Sequence, residues 1–121
     1  MLNDATCFKK MFIVTGYTDL RSGIDRLADT VCSYLGEDAI EPDTLYLFCG
    51  RRTDRIKGLV WENDGYLLLY KRLEAGKFQW PRTESEVRSI TSQQFRWFME
   101  GPTTLPKKQV KRLKKVPDYT V

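Results

Sequence analysis

A chain of 121 residues with 41% apolar residues is long enough for one domain with a buried core. Its three cysteines form no C-x-x-C pair and it has no histidine, which argues against a disulfide framework and a structural zinc site. No apolar run approaches the ~18 residues of a membrane span, and the start lacks the layout of a signal peptide. We therefore expect a cytoplasmic protein with no membrane partner.

The charge is concentrated at the carboxyl end. The net charge is +4, but residues 101–121 hold six basic residues and one acidic residue, which leaves residues 1–100 at −1. Such asymmetry favours a nucleic-acid or anionic partner, with a solubilising tail as the alternative. We predict a flexible leader over residues 1–9, a single α+β domain over residues 10–102 and a flexible basic tail over residues 103–121.

The first half of the chain predicts a strand, a helix and a second strand. Residues 11–15 form an apolar run rich in β-branched residues, which is typical of a buried strand. Residues 17–36 predict an amphipathic helix, with Ser22 and Asp25 resembling a capping box at its start. Its apolar stripe is Leu20, Ile24, Leu27, Ala28, Val31 and Leu35. Residues 44–49 are apolar on both faces and predict a central strand.

A β-hairpin is predicted next. Residues 55–62 and 66–73 read as strands, and Asn63, Asp64 and Gly65 between them tolerate the positive φ of a tight turn. Residues 77–80 predict a short edge strand that Pro81 ends.

Strand periodicity divides this hairpin into two faces. One face is apolar, and we assign it to the predicted helix; it holds Ile56, Val60, Leu67, Leu69 and Leu73. The other is amphiphilic, with Arg55, Lys57, Trp61, Tyr66, Tyr70 and Arg72 around Leu59 and Leu68. That second face is either covered in part by a C-terminal helix or is a contact surface.

The remaining elements complete an α+β prediction. Residues 83–88 read as a polar loop, and residues 92–100 predict a short helix with Thr91 and Gln94 as its capping box. The expected fold is a small, mostly antiparallel sheet of about four to five strands packed against one amphipathic helix, plus a short C-terminal helix.

The sequence offers no recognisable catalytic site. Glycine-rich phosphate loops are absent, and the lack of histidine rules out Ser-His-Asp and Cys-His pairs. Asp54, Glu62 and Asp64 lie close in sequence but are ordinary turn residues, so a metal nuclease is only a minor alternative. We expect no enzyme activity, metal, cofactor or small-molecule substrate.

Basic and aromatic residues are interleaved between residues 50 and 82. Lysine and arginine pair with phosphates, and exposed aromatic rings stack on bases. The alternative is that the rings are core and the charges a solvated rim. The candidate nucleic-acid-binding residues, including those of the tail, are Arg51, Arg52, Arg55, Lys57, Trp61, Tyr70, Lys71, Arg72, Lys77, Trp80, Arg82, Lys107, Lys108, Lys111, Arg112, Lys114 and Lys115.

Several motifs resemble one known family. They are TDLRSGID at residues 18–25, Arg51, Arg52, Asp54, Arg55 and Lys57, YKRLE at residues 70–74, and FQWP at residues 78–81. In this order and spacing they resemble the second-open-reading-frame accessory proteins, often called TnpB, of bacterial insertion sequences of the sixty-six family. Cys49 and Gly50 depart from the family's usual bulky residue followed by Asn.

The resemblance implies a non-catalytic helper in DNA transposition that works beside a separate transposase. It carries over no catalytic residues. Two hypotheses follow: the chain binds DNA, such as the transposon ends, through the basic and aromatic sheet surface and the tail, or it docks on the transposase without recognising DNA directly.

Overall fold

Seven helices and strands make up the part of the chain that is described by a computed structural model, residues 8–82 and 86–100. In chain order they are β1 (Lys10–Val14), α1 (Ile24–Leu35), β2 (Thr44–Cys49), β3 (Arg55–Trp61), β4 (Tyr66–Arg72), β5 (Val87–Ile90) and α2 (Ser92–Glu100). The predicted tail lies outside the described residues, as does most of the predicted leader.

The strands form one five-stranded sheet in the order β4-β3-β2-β1-β5. β1 and β2 are parallel, and the other three pairings are antiparallel. A parallel pair needs a crossover, and α1 lies in the connection between β1 and β2. The predicted α+β class and the central position of β2, whose six residues are all buried, are confirmed.

The β3–β4 hairpin has the predicted division into faces. Trp61 pairs with Tyr66, and the Glu62 amide donates a hydrogen bond of 2.9 Å to the Gly65 carbonyl. The two-residue loop is therefore Asn63 and Asp64, and Asn63 carries the positive φ of 76°. Asparagine is one of the few side chains that tolerate this left-handed conformation.

The predicted assignment of α1 to the Ile56 face is wrong. Leu27 and Val31 of α1 belong to the same buried cluster as Leu59, on the opposite face of the hairpin, together with Tyr46 and Phe48. Both hairpin faces carry apolar residues, so their pattern does not decide which one a helix covers. The connection from β1 to β2 places α1 on this side.

The Ile56 face is covered by α2 and by the segment before β5. Ile56 and Val60 share a buried cluster with Phe78, Trp80 and Phe95. The predicted edge strand at residues 77–80 is wrong, because these residues form no strand. The Phe78 amide donates instead to the Thr53 carbonyl at 2.6 Å, and Trp80 Nε1 donates to the Val14 carbonyl at 3.1 Å.

Strand β5 lies where the sequence predicts a polar loop and the residues that lead into α2. It pairs antiparallel with β1, where Val14 faces Val87 and Met11 faces Ile90. The two residues between Val87 and Ile90 are polar and exposed, so the strand has a weak pattern of its own. Pairing with β1 supplies what the local sequence lacks.

The helix ends match the predictions unevenly. α1 begins at Ile24 rather than Tyr17, with Gly23 as its N-cap and no side-chain cap, so the predicted capping box there is wrong. Its predicted stop is confirmed, since the Gly36 amide donates to the Cys32 carbonyl.

The α2 capping box is also confirmed: the Thr91 amide donates to Gln94 Oε1 at 2.9 Å, and the Gln94 amide donates to Thr91 Oγ1 at 3.1 Å. Neither described helix is long and apolar enough to cross a membrane.

Candidate nucleic-acid interface

An open groove of about 840 Å³ lies where the segment before α1, the turn after β2 and the adjoining ends of β3 and β4 meet. We call it the basic groove, because its lining includes five cationic side chains: Arg21, Arg51, Arg52, Arg55 and Lys57. Tyr17 and Tyr70 line it as well. Its size falls within the ~300–1,000 Å³ of pockets that hold a small ligand.

Backbone contacts join the two loops that form one wall of the groove. The Thr18 amide donates to the Cys49 carbonyl at 2.8 Å. Gly50 follows directly, and a Cβ at this position would approach Leu20 Cγ at 3.1 Å. A residue without a side chain therefore suits the close approach of the two loops at Gly50.

Arg82 bonds to both loops. Its Nη1 donates to the Gly16 carbonyl and its Nη2 to the Gly50 carbonyl, each at 2.6 Å. A further bond of 3.4 Å reaches the Arg51 carbonyl. These bonds hold the two loops of the groove wall together, and the phosphate contact of Arg82 stays a prediction.

Arg51 stacks on Tyr17, and both side chains line the groove. Its guanidinium carbon lies 4.9 Å from the ring centroid, and its Nη2 donates to the Tyr17 hydroxyl at 3.2 Å. Arginine stacks readily on aromatic faces because its planar cation is weakly hydrated. The pair holds a positive charge and an aromatic ring together at the surface.

Two carboxylates, Asp19 and Asp54, partly neutralise the positive charge of the groove. Asp19 accepts two bonds from the Arg21 guanidinium, at 3.0 and 2.9 Å, and this hydrogen bonding lowers its pKa to about 2. Asp54 accepts from Arg55 at 3.0 Å, which also lowers its pKa, and Arg52 lies 3.8 Å away. Both carboxylates therefore stay ionised near neutral pH.

In the described part of the chain, Arg51 and Lys57 are the groove cations whose charge is not paired with a nearby carboxylate. Among residues 8–82 and 86–100, neither forms a salt bridge with a carboxylate. Lys57 Nζ donates to the Ser22 carbonyl at 3.4 Å, at the loop before α1. An anion that entered the groove would contact these two cations without displacing a carboxylate.

The groove brings together five of the predicted site residues: Arg51, Arg52, Arg55, Lys57 and Tyr70. Trp61 shares their face of the sheet but lies at the far end of β3, where its ring packs edge-on against Tyr66 with centroids 4.9 Å apart. Arg72 lies next to Arg55 across the hairpin and pairs with Glu74 at 3.0 Å.

The other predicted site residues lie elsewhere. Lys71 pairs in register with Ile56 and so lies on the opposite face of the sheet, and Lys77 is exposed outside the groove. Trp80 is 7% exposed, so its ring belongs to the core and is not available for stacking on a base. The six tail residues lie outside the described part of the chain: Lys107, Lys108, Lys111, Arg112, Lys114 and Lys115.

Tyr17 and Arg21 line the groove but were missing from the predicted site. The apolar pattern predicts a helix that begins at Tyr17 and would contain both residues. Gly23 is the signal that points to a later start, because glycine is unfavourable inside a helix and acceptable at its N-cap. No group of three or more potential metal ligands occurs among the described residues.

Comparisons with known proteins identify relatives of this chain. The model of a family described as IS66 Orf2-like protein matches residues 9–109. The uncharacterized protein y4hO of Sinorhizobium fredii is 32% identical over 92 residues, which cover 76% of this chain and 79% of that protein. The uncharacterized protein y4jC of the same organism is 30% identical over 109 residues, covering 88% and 92% respectively. No solved structure matches.

Proposed function

Because this chain belongs to the IS66 Orf2-like family of insertion-sequence accessory proteins, we propose that it assists transposition by binding DNA in the basic groove. The DNA is that of the insertion sequence, most simply its ends, and a separate transposase supplies the chemistry of strand transfer. Such a role places the chain in the bacterial cytoplasm, where the chromosome lies.

The clustering of five cations in one groove carries this proposal. Arginine presents a planar fork of donors that matches phosphate geometry, and lysine adds a point charge. Phosphate contacts of this kind supply most of the affinity of sequence-independent DNA binding. Arg51, Arg52 and Lys57 are the residues that we assign to phosphate contact.

The basic tail adds a second source of affinity. Its six basic residues attract any polyanion, so DNA binding by the whole chain does not by itself implicate the groove. The two contributions are separated by replacing the six tail cations with Gln in the full-length chain, which keeps the chain length unchanged.

A salt titration of DNA binding by this tail-neutral protein tests the proposal. Changing Arg51, Arg52 and Lys57 together to Gln removes three phosphate contacts, so the slope of log K against log salt should become less steep by roughly 2 to 3. A charge-matched control changes three cations that lie outside the groove to Gln: Lys10, Lys77 and Arg88. The proposal fails if the control variant loses as much affinity and slope as the groove variant.

An exposed tryptophan on α2 favours a second candidate function, docking on the transposase. Trp97 is 68% exposed, although tryptophan is enriched at the centre of protein interfaces. In this case Trp97→Ala should abolish co-purification with the transposase of the same element and leave DNA binding unchanged. Co-purification that survives this change argues against docking through Trp97.

A further inference from the structure

We propose that the basic groove binds unpaired DNA, with bases stacked on Tyr17 and Tyr70 and phosphates held by the neighbouring arginines. This inference rests on the proposed DNA-binding function and adds the form of DNA that the groove selects. Unpaired nucleotides are the substrate class in which base faces and phosphates are offered together.

The exposure of the two tyrosines is the first observation behind it. Tyr17 is 56% exposed and Tyr70 is 54% exposed, whereas Tyr46 on the same sheet is 1% exposed. Neither groove tyrosine is needed to fill the core, and both line the concave surface that carries the cations. Aromatic platforms beside a positively charged track are the recurring feature of single-strand binding sites.

Each of these tyrosines has an arginine as its neighbour. Arg51 lies over the Tyr17 ring at 4.9 Å. Tyr70 pairs in register with Lys57, and Arg55 lies two residues before Lys57 on the same face of β3. The hydrogen bond to Asp54 raises the pKa of Arg55 most, and Tyr70 adds to this shift. A base that stacks beside such a pair places its own phosphate within reach of the guanidinium. Each groove tyrosine therefore has a basic residue beside it.

A duplex fits this site poorly. In double-stranded DNA the base faces are stacked on one another, and only base edges and phosphates are presented to a protein. Rings that line a groove reach base faces only where the bases are unstacked. The volume of about 840 Å³ is that of a small-ligand pocket, a size that suits a few nucleotides of one strand.

Fluorescence anisotropy tests the inference with the full-length protein in which the six tail cations are replaced by Gln, so that the tail does not add to the affinity for either probe. The probes are a labelled single strand of about twelve nucleotides and a hairpin duplex with the same sequence in its stem. The single strand should bind at least about tenfold more tightly at the same salt concentration. Tyr17→Ala and Tyr70→Ala should each weaken single-strand binding by about fivefold or more and leave duplex binding within about twofold.

Conservative and distant variants separate stacking from other causes. Tyr17→Phe and Tyr70→Phe keep the ring and should retain the preference for single strands, although Tyr17→Phe removes the hydroxyl that accepts from Arg51. Tyr34→Ala removes a tyrosine that is 44% exposed on α1, outside the groove, and should behave as the unchanged protein. Since all three tyrosines are exposed, unchanged thermal unfolding is expected for each variant.

The possible outcomes are distinguishable. Equal affinity for both probes, or alanine variants that bind the single strand normally, would overturn the inference while the groove-cation variant still tests DNA binding itself. Tighter binding of an RNA strand of the same sequence would overturn the assignment to DNA. Failure to bind either DNA probe would instead remove the proposed function on which the inference rests.

Discussion

Arg82 Nη2 donates a hydrogen bond of 2.6 Å to the carbonyl oxygen of Gly50, 32 residues earlier in the chain. With a second bond of 2.6 Å to the Gly16 carbonyl, it ties both loops of the groove wall to the segment that leads to β5. Arg82→Lys keeps the charge but cannot present two donors in a fixed fork. We expect it to lower the free energy of unfolding by about 1 to 3 kcal/mol, measured by urea denaturation.

The matched control for this change is Arg88→Lys. Arg88 pairs with Glu86 at 3.0 Å, and its side chain is 49% exposed, so the pair is worth about 0 to 1 kcal/mol. Equal and small effects of the two substitutions would mean that Arg82 does not hold the groove wall in place.

The side of the sheet on which α1 lies gives a second prediction. Leu59 is fully buried in the cluster that α1 completes, whereas Leu67 on the opposite face is 39% exposed. Leu59→Ala should therefore lower the free energy of unfolding by about 2 to 5 kcal/mol. The identical change at Leu67 should cost about 1 kcal/mol or less, because that residue is already 39% exposed and loses less buried apolar surface. Comparable costs at both positions would contradict the observed placement of α1.

Much of the fold follows from local patterns in the sequence. The alternation around Val60 and Leu69 predicts the two hairpin faces because side chains in a strand have a period of two residues. The choice of face by α1 does not follow, since Leu59 and Val60 are equally suited to burial. β5 is missed for a related reason: its central residues, Arg88 and Ser89, are polar, and the strand depends on its pairing with β1.

The candidate site divides in the same way. Four of its cations are predicted because they lie within seven residues of one another, from Arg51 to Lys57. Tyr17 and Arg21 are about thirty residues away in sequence, and the bond from the Thr18 amide to the Cys49 carbonyl brings them to the groove. A contact of this kind leaves no pattern in the sequence. Trp80 is the opposite case, a residue that the sequence assigns to the site and the structure buries. A tryptophan among basic residues resembles a stacking platform whether or not it is buried.

Trp80 provides the third prediction, because a core role and a stacking role have different consequences. It is 7% exposed, and its Nε1 donates to the Val14 carbonyl at 3.1 Å. Trp80→Phe removes both ring volume and this donor, so we expect a loss of about 2 to 4 kcal/mol in the free energy of unfolding. DNA affinity, measured under conditions where the variant remains folded, should stay within about twofold of the unchanged protein. A variant of normal stability with weakened DNA binding would instead support base stacking by Trp80.

The fourth prediction concerns the Cys49 thiol, which lies in the core at the end of β2. Burial raises its pKa from 9.0 to about 11, while the nearby Arg82 guanidinium opposes this shift. In a Cys7→Ser, Cys32→Ser variant, Cys49 should resist a thiol reagent near pH 8 until denaturant is added, because reaction requires an accessible thiolate.

The same shift fixes the direction of a pH dependence. Between about pH 9 and pH 11 the unfolded chain has lost the Cys49 proton and the folded chain keeps it, so the free energy of unfolding should fall as pH rises. The contribution of this thiol amounts to about 2 to 3 kcal/mol at most. Cys49→Ala removes the titrating group, so its unfolding free energy should fall less over this range in otherwise identical denaturation series. Parallel pH profiles for the two proteins, or rapid labelling of folded Cys49, would show that the thiol is solvated in the native state.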